Sequence, residues 1–363
     1  MKVAQHETPA LVLDMDIAER NIRRMADYFS SKKANLRPHV KVHKSPFLAR
    51  RQIEAGAKGV TCAKISEAEV MAKSGIDDIL IANEIVGEDK IGRLAVLAKQ
   101  CKLGVLVDNA ENARQISKVA SEANSRISLL VELNLGSQVE NILDRCGVPP
   151  GLPALELARE LTKLKNIEFK GLMGYEGSLR KFPDFQSRKE GAEKALRLVV
   201  ETKNLLEDSG LNVDVVSCGG TMSYNIAGEF PGVTEVQAGS YVFMDTTYLQ
   251  HGIDFEISLT LLTRVISRPR PDKIVVDAGL KAISADHGLP KVKEMPELEL
   301  TALNAEHGHI RVARSSSGLE RGDRLELLPS HVDTTVCLHD RYVVTRRGEV
   351  ETTLEIPGRG KLE

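Results

Sequence analysis

The stretch "LGVLVDNAENARQISKVASEANSRISLLVELNLG" (Leu103–Gly136) carries the fold in miniature. "LGVLVDN" is a short apolar, β-rich run, "AENARQISKVASEAN" is an amphipathic helical run, and "ISLLVELNLG" is apolar again. Strand, helix and strand in succession imply two parallel strands joined by a crossover helix. The rhythm extends both ways. Upstream, "ALVLDM" reads as the first strand, followed by the helix "DIAERNIRRMADYFSSK" with Asp16 as its N-cap. "RPHVKVH", "GVTCA" and "DILIAN" read as the next strands, with helical runs between them. Downstream, "IEFKGLMGYEG", "VDVVSCGG" and "TEVQAGSYVFMD" complete the series. Eight to nine strands over about 235 residues suit a TIM-like (β/α)8 barrel better than an open sheet. No GxGxxG or P-loop follows the first strand, which argues against a dinucleotide or nucleoside-triphosphate site.

Beyond about residue 250 helical period nearly vanishes. "FEISLTLLTRVISRP", "DKIVVDAGLKAIS", "LELTALNAEHGHIRV", "DRLELLPS" and "RYVVTRRGEVETTLEI" are strand-like and divided by Pro and Gly-Asp signals. The expected division is a barrel over residues 8–248 and a β-rich domain over 249–363, with residues 1–7 as a candidate addition to the latter.

The 363 residues are 42% hydrophobic and 28% charged, with a formal net charge of −2 and no long run of one sign. That balance argues against nucleic acid or an anionic membrane surface as a partner. No apolar run reaches the roughly 18 residues of a transmembrane helix, and the N-terminus lacks signal-peptide features. The five cysteines are scattered and form no CxxC pair, so reduced thiols and a cytoplasmic location are expected.

Three stretches carry candidate chemistry. In "LRPHVKVHKSP" (Leu36–Pro46), strand alternation would put His39, Lys41 and His43 on one face and Val40 and Val42 on the other. A lysine pointing inward near the C-terminal end of a barrel strand is a candidate catalytic amine. Desolvation would lower its pKa and leave a neutral amine able to form a Schiff base. On an outward or edge strand the same lysine is merely solvated. In "SCGGTMSYN" (Ser217–Asn225) and "QAGSYVFMD" (Gln237–Asp245), the residues Gly219, Gly220, Thr221, Gly239 and Ser240 lie just past late strands. Backbone N–H groups and hydroxyls there can surround a phosphate; the plain alternative is two tight turns with no ligand. In "PSHVDTTVCLHD", His331 and Asp333 stand two apart. An imidazole and a carboxylate suit a divalent ion such as Mn, Mg or Zn, although such pairs are common without one.

Taken together, these residues resemble the D-threonine aldolase and D-serine dehydratase family, pyridoxal-phosphate enzymes of the alanine-racemase fold. The resemblance runs nearly the whole chain: "TPALVLDMD", "LRPHVKVHKSP", "VDNAEN", "RCGV", the Gly-Gly before Thr221, "EVQAGSYVFMD", "DAGLK", "EHG" and "PSHVDTTVCLHD", in that order. It implies a barrel followed by a β domain, a homodimer with active sites near the subunit interface, and pyridoxal 5'-phosphate carried on Lys41. It implies Arg145 of "RCGV" as a partner of the cofactor's ring oxygen. Tyr175 sits where the family has an active-site tyrosine, an acid, a base or a ring-packing residue. His39 and His43 become the neighbours that hold and tune the lysine. Gln237 and Tyr241 join the small-residue loops as cofactor lining, and His331 and Asp333 match the family's metal ligands.

The chain also departs from the family. A histidine expected shortly after the tyrosine is missing: "YEGSLRK" offers Ser178, Arg180 and Lys181. "AEHG" has Ala305 in place of an acid, and "SQVENILD" is inserted before "RCGV". The metal pair is His-x-Asp, the aldolase form, where dehydratases of the family tend to His-x-Cys. A metal-bound water, Lys181 or His43 is left as the base. The leading expectation is a lyase that cuts D-β-hydroxy-amino acids to glycine and an aldehyde. A dehydratase of D-serine or D-threo-3-hydroxyaspartate and an amino-acid racemase are the alternatives within the family. A barrel that only carries the cofactor is the alternative of another class.

Overall fold

The computed structural model describes residues 3, 6–313 and 318–363. The chain divides into two compact units. One comprises Met25–Lys41, Pro46–Gly239 and Lys361–Glu363; the other comprises Met1–Arg24, Val42–Ser45 and Ser240–Gly360. Among the described residues no helix is long and apolar enough to cross a membrane.

The strand β1 (Ala10–Asp14) stands apart from the strand–helix series that follows it. That series holds β2 (Asn35–Leu36), β3 (Val60–Cys62), β4 (Asp78–Glu84), β5 (Lys102–Val107), β6 (Ile127–Leu133), β7 (Ile167–Gly174), β8 (Val215–Cys218) and β9 (Glu235–Val236). These eight strands are parallel and ordered β2-β9-β8-β7-β6-β5-β4-β3. The ring closes where the Thr61 N–H donates to Pro38 O at 2.9 Å and His39 bridges Thr61. It is a TIM-like barrel, as the alternation implied.

Successive side chains on a strand point to opposite faces. Leu80, Leu106, Leu130 and Met173 form one buried cluster, with Ala82 and Val215 packed against it. Ile79, Ile81, Val105, Val131 and Leu133 are buried on the alternate positions. Burial of each such side chain contributes about 1.5–3 kcal/mol. Two residues beyond Ala82, Leu130 and Met173 on the same alternation stand Glu84, Glu132 and Tyr175. The apolar layer therefore ends in acids and a tyrosine at the C-terminal ends of the strands, where barrel enzymes carry their chemistry. Near the start of the ring, Arg37 is held by Glu235 at 3.0 Å and Asp78 at 2.5 Å, and Lys58 reaches Glu235 at 2.8 Å.

Two expectations are corrected here. "ALVLDM" is not a barrel strand: β1 runs antiparallel to β10 (Leu259–Arg270) and parallel to β16 (Arg341–Arg346). A β-rich run before a helix reads the same whichever sheet receives it. "RPHVKVH" is not a full strand either. Its neighbour β9 ends at Val236, so residues past His39 have no ladder to join. They satisfy their backbone in a 3-10 turn, Val40–Val42, and the alternation argument stops at His39.

The second unit is a nine-stranded sheet, with main order β13-β14-β11-β10-β1-β16-β17. Its other members are β11 (Lys273–Val276), β12 (Lys291–Val292), β13 (Leu298–Leu303), β14 (Gly308–Val312), β15 (Arg324–Leu328) and β17 (Glu349–Glu355). β15 pairs with both β10 and β12. The compact units change over at Gly239 rather than at 248, and residues up to Arg24 belong with the sheet.

Candidate active site

Lys41 sits in the Val40–Val42 turn just past the His39–Thr61 bridge, half-buried. It is therefore presented by a turn at the end of the barrel ring rather than by a strand face.

Arg145 comes from the loop after β6, and Asn134 holds that loop. The Asn134 side-chain amide donates to Arg145 O and to Asp144 Oδ1, both at 2.6 Å, and its Oδ1 accepts from the Arg145 N–H at 3.3 Å. The Gly147 N–H donates to Asp108 Oδ2 at 3.2 Å. Gly147 has φ +109°, and a Cβ there would lie 2.7 Å from Asn134 N, so the turn needs glycine twice over. So held, the Arg145 guanidinium lies 5.6 Å from the centre of the Tyr175 ring. Its Nη2 is 3.4 Å from Glu132 Oε1 and 3.7 Å from Cys146 Sγ. Burial, with the Glu84 carboxyl alongside, pushes the Glu132 pKa up to about 8.

Tyr175 is 37% exposed, and its ring lies against Gly220: a Cβ on that glycine would meet the ring at 3.3 Å. Gly220 thus gives the ring its place. The Gly219 N–H donates to Glu176 Oε2 at 3.1 Å, and the Gly220 N–H donates to Ser223 Oγ at 3.2 Å. Ser223 in turn donates to Glu176 Oε1. These two amides, expected to face a phosphate, are engaged by Glu176 from the loop after β7 and by Ser223 of their own loop, and the glycines act there through shape. Glu176 is fully buried, and that burial raises its pKa. Thr221 is buried beside them. Gln237 donates to Ser217 Oγ at 2.9 Å, and Ala238, just before Gly239, accepts from the His39 N–H at 3.3 Å.

Other candidates lie in the second unit. Ser240 accepts from the Tyr248 hydroxyl at 3.1 Å, and the Tyr241 ring is fully buried 5.7 Å from Phe255. His43 is fully buried. Its Nδ1 accepts from the Ser45 N–H at 3.1 Å, its carbonyl accepts from Tyr342 at 2.7 Å, and its ring meets Phe243 edge-on. With Nδ1 accepting, the neutral ring carries its proton on Nε2 and has no lone pair to spare.

His331 precedes the short helix Val332–Val336, which carries Asp333, so the pair is not the extended segment the spacing suggested. His331 Nδ1 lies 2.7 Å from Asp286 Oδ2. Burial raises the Asp286 pKa, but hydrogen bonds from Ser284, His331 and Thr334 outweigh it and hold the value at about 2. An ionised Asp286 fixes the proton on His331 Nδ1 and leaves Nε2 as a lone-pair donor, the usual support behind a ligating histidine. The His287 ring stacks on His331, centroids 3.9 Å apart. Asp286, His287 and His331 bring ligand atoms within 4.8 Å of one another; Asp333 is outside that set. An imidazole with an oriented lone pair among carboxylates fits a divalent ion. Sequence reading had no reason to choose Asp286 or His287, which lie over 40 residues upstream. Asp277 accepts from Thr8, Thr263 and the Arg264 N–H, a structural role inside the sheet.

Residues 13–247 match the family model "Alanine racemase, N-terminal domain", and residues 258–345 match "Putative serine dehydratase domain". The chain is 41% identical to a D-threonine aldolase of Arthrobacter sp over 99% of its length and 94% of the relative's. It is 37% identical to a 3-hydroxy-D-aspartate aldolase of Paracoccus denitrificans (strain Pd 1222), over 99% and 94% of the two chains. The crystal structure of a D-threonine aldolase from Filomicrobium marinum superposes with a TM-score of 0.96 at 37% identity, covering 100% of this chain and 98% of that one. The chain belongs to the D-threonine aldolase and D-serine dehydratase family, fold type III enzymes built on an alanine-racemase N-terminal domain.

Proposed function

We propose that the protein is a pyridoxal-phosphate- and divalent-metal-dependent lyase that cleaves D-β-hydroxy-amino acids to glycine and an aldehyde. The observation that carries the reading is the grouping of Arg145, Tyr175 and Gly220 at the barrel's end, in a chain 41% identical to a D-threonine aldolase. The cofactor, when bound, supplies an electron sink for the carbon–carbon bond that breaks. This chain's residues do the rest. Lys41 provides the amine that holds the cofactor. Arg145 would present a permanent positive charge to its ring oxygen, with Glu132 behind the guanidinium and Asn134 holding the Arg145 backbone. Tyr175, with one face against Arg145 and an edge on Gly220, packs beside the ring. Thr221, Gln237, Gly239 and Ser240 complete the lining. A divalent ion on His331 and Asp333 would lower the pKa of the substrate hydroxyl, and Asp286 would orient the His331 lone pair toward it. The homodimer belongs to the same proposal and is read by sedimentation of the holoprotein.

The dehydratase reading has one observation in its favour, the missing histidine after Tyr175. The test is product identity. Purified protein with pyridoxal phosphate and Mn²⁺ is given D-threonine, and acetaldehyde, 2-oxobutanoate and L-allo-threonine are assayed separately, with and without chelator. Acetaldehyde and glycine that vanish on chelation are expected. Keto acid with ammonia would replace the proposal by the dehydratase, and L-allo-threonine, the product of inversion at Cα alone, would replace it by a racemase.

A further inference from the structure

Glu84 and Glu132 lie on β4 and β6, on the alternation that carries the barrel's apolar layer. Their ligand atoms and that of Cys146 fall within 4.8 Å of one another. Glu132 is 1% exposed. Its Oε2 and the Oε1 of Glu84 are buried, and neither accepts a hydrogen bond from any donor among the described residues. The other Glu132 oxygen meets Cys146 Sγ at 3.3 Å and Arg145 Nη2 at 3.4 Å. Two carboxylates this close in a buried site cannot both be ionised; one proton between them turns repulsion into a hydrogen bond. We infer that Glu84 and Glu132 share a single proton at neutral pH, and that the singly charged pair is the positioning element that holds Arg145 over Tyr175.

Charge balance supports the count. The groups that face the pair are Arg145 and Cys146 from the loop after β6, with Tyr175 beyond Arg145. Burial and Glu132 push the Cys146 thiol up to about 11, so it is neutral and donates. Asp108, just past the end of β5, accepts from Gly147 instead. One guanidinium therefore faces one negative charge. Loss of the shared proton as pH rises through about 8 leaves two charges beside one cation and draws Arg145 down onto Glu132. Glu132 and Glu84 touch no reacting atom; they act through Arg145. The consequence for the cofactor rests on the function proposed above, while the proton itself does not.

The test reads the proton first, without cofactor. Infrared spectra of the full-length protein are recorded from pH 6 to 10 in wild type, Glu84→Gln and Glu132→Gln. The expected result, read in wild-type-minus-variant difference spectra so that Glu176 and Asp245 cancel, is a protonated-carboxyl C=O band at neutral pH that titrates away near pH 8 and appears for either variant. The account is overturned by no such difference band, by one seen for Glu132→Gln but not for Glu84→Gln, or by a metal ion found at stoichiometric level that leaves with chelator only while these acids are intact. Should Glu132→Gln fail to fold, Glu84→Gln alone decides. Pyridoxal phosphate is then titrated into the same proteins. Glu84→Gln keeps an ionised Glu132 behind Arg145 and should bind like wild type, with the pH dependence near 8 removed. Glu132→Gln moves the charge away from Arg145 and should bind about 10-fold or more weakly, the loss of one charge-assisted contact. Equal affinities at every pH would reject the positioning role even with the band present. A band without cofactor binding in any of the proteins would reject the proposed function and leave the shared proton standing.

Discussion

Asp286 is the residue whose removal separates orientation from ligation. It does not appear in the His331–Asp333 motif, yet it holds the His331 ring at 2.7 Å. Asp286→Asn keeps the size and removes the charge that fixes the tautomer. It should weaken Mn²⁺ binding about 10–100-fold, the usual cost of losing such a support. Titration calorimetry of the full-length protein checks this, and unchanged affinity would mean His331 needs no orienter. At this scale sequence reading found the motif residues and missed their supports. Asp286 and His287 were invisible because stacking and pairing across 45 residues leave no local pattern. Glu84 and Glu132 were legible in principle: an acid closes "ILIANE" and stands next to last in "LLVEL", each in phase with the inward leucines. The tautomer of His43 was not legible, because it is set by a backbone amide two residues on.

The loop Asp144–Val148 is the element on which the site depends. Its hydrogen bonds converge on Asn134, at the end of β6. Asn134→Ala should cost about 1–3 kcal/mol in urea unfolding, since it strands buried backbone groups. It should also weaken pyridoxal phosphate binding by releasing Arg145. Full stability with weak cofactor binding would show that the loop is held some other way. A different element tests the ring itself. Arg37→Met leaves Glu235, 1% exposed at its side chain, without its buried guanidinium. The expected loss is at the low end of about 3–5 kcal/mol, because Lys58 still reaches the buried carboxylate at 2.8 Å. The alternation of strands and helices from Asn35 to Val236 was readable because each unit has its own period. β1 was not, because which sheet receives a strand depends on partners over 240 residues away. The turn at Lys41 was missed for a related reason. β-branched Val40 and Val42 favour a strand, but a strand needs a neighbour, and β9 ends too early to supply one.

For the whole molecule, the buried acids set how stability changes with pH. Burial raises Glu132 to about 8 and Asp245 to about 7, each above its ordinary carboxyl value. Such groups bind a proton in the folded state that the unfolded chain has already released. Stability therefore falls as pH rises toward the folded values, and the loss is complete above them. His309 and His339, which burial depresses, act in the opposite sense but only below their ordinary value of 6.5. The urea midpoint should thus fall between pH 6.5 and 8.5, and Glu132→Gln should flatten that fall. A midpoint that rises over the range would contradict the assignment of neutral buried acids.

The central claim is that Lys41, in the turn that ends the His39–Thr61 bridge, carries the cofactor. The most direct measurement reduces the holoprotein with borohydride, digests it, and locates the pyridoxyl group by mass spectrometry. The account predicts one labelled peptide containing Lys41, and no label in Lys41→Ala. Label on Lys44, Lys181 or any other lysine, or label that persists in Lys41→Ala, would contradict it.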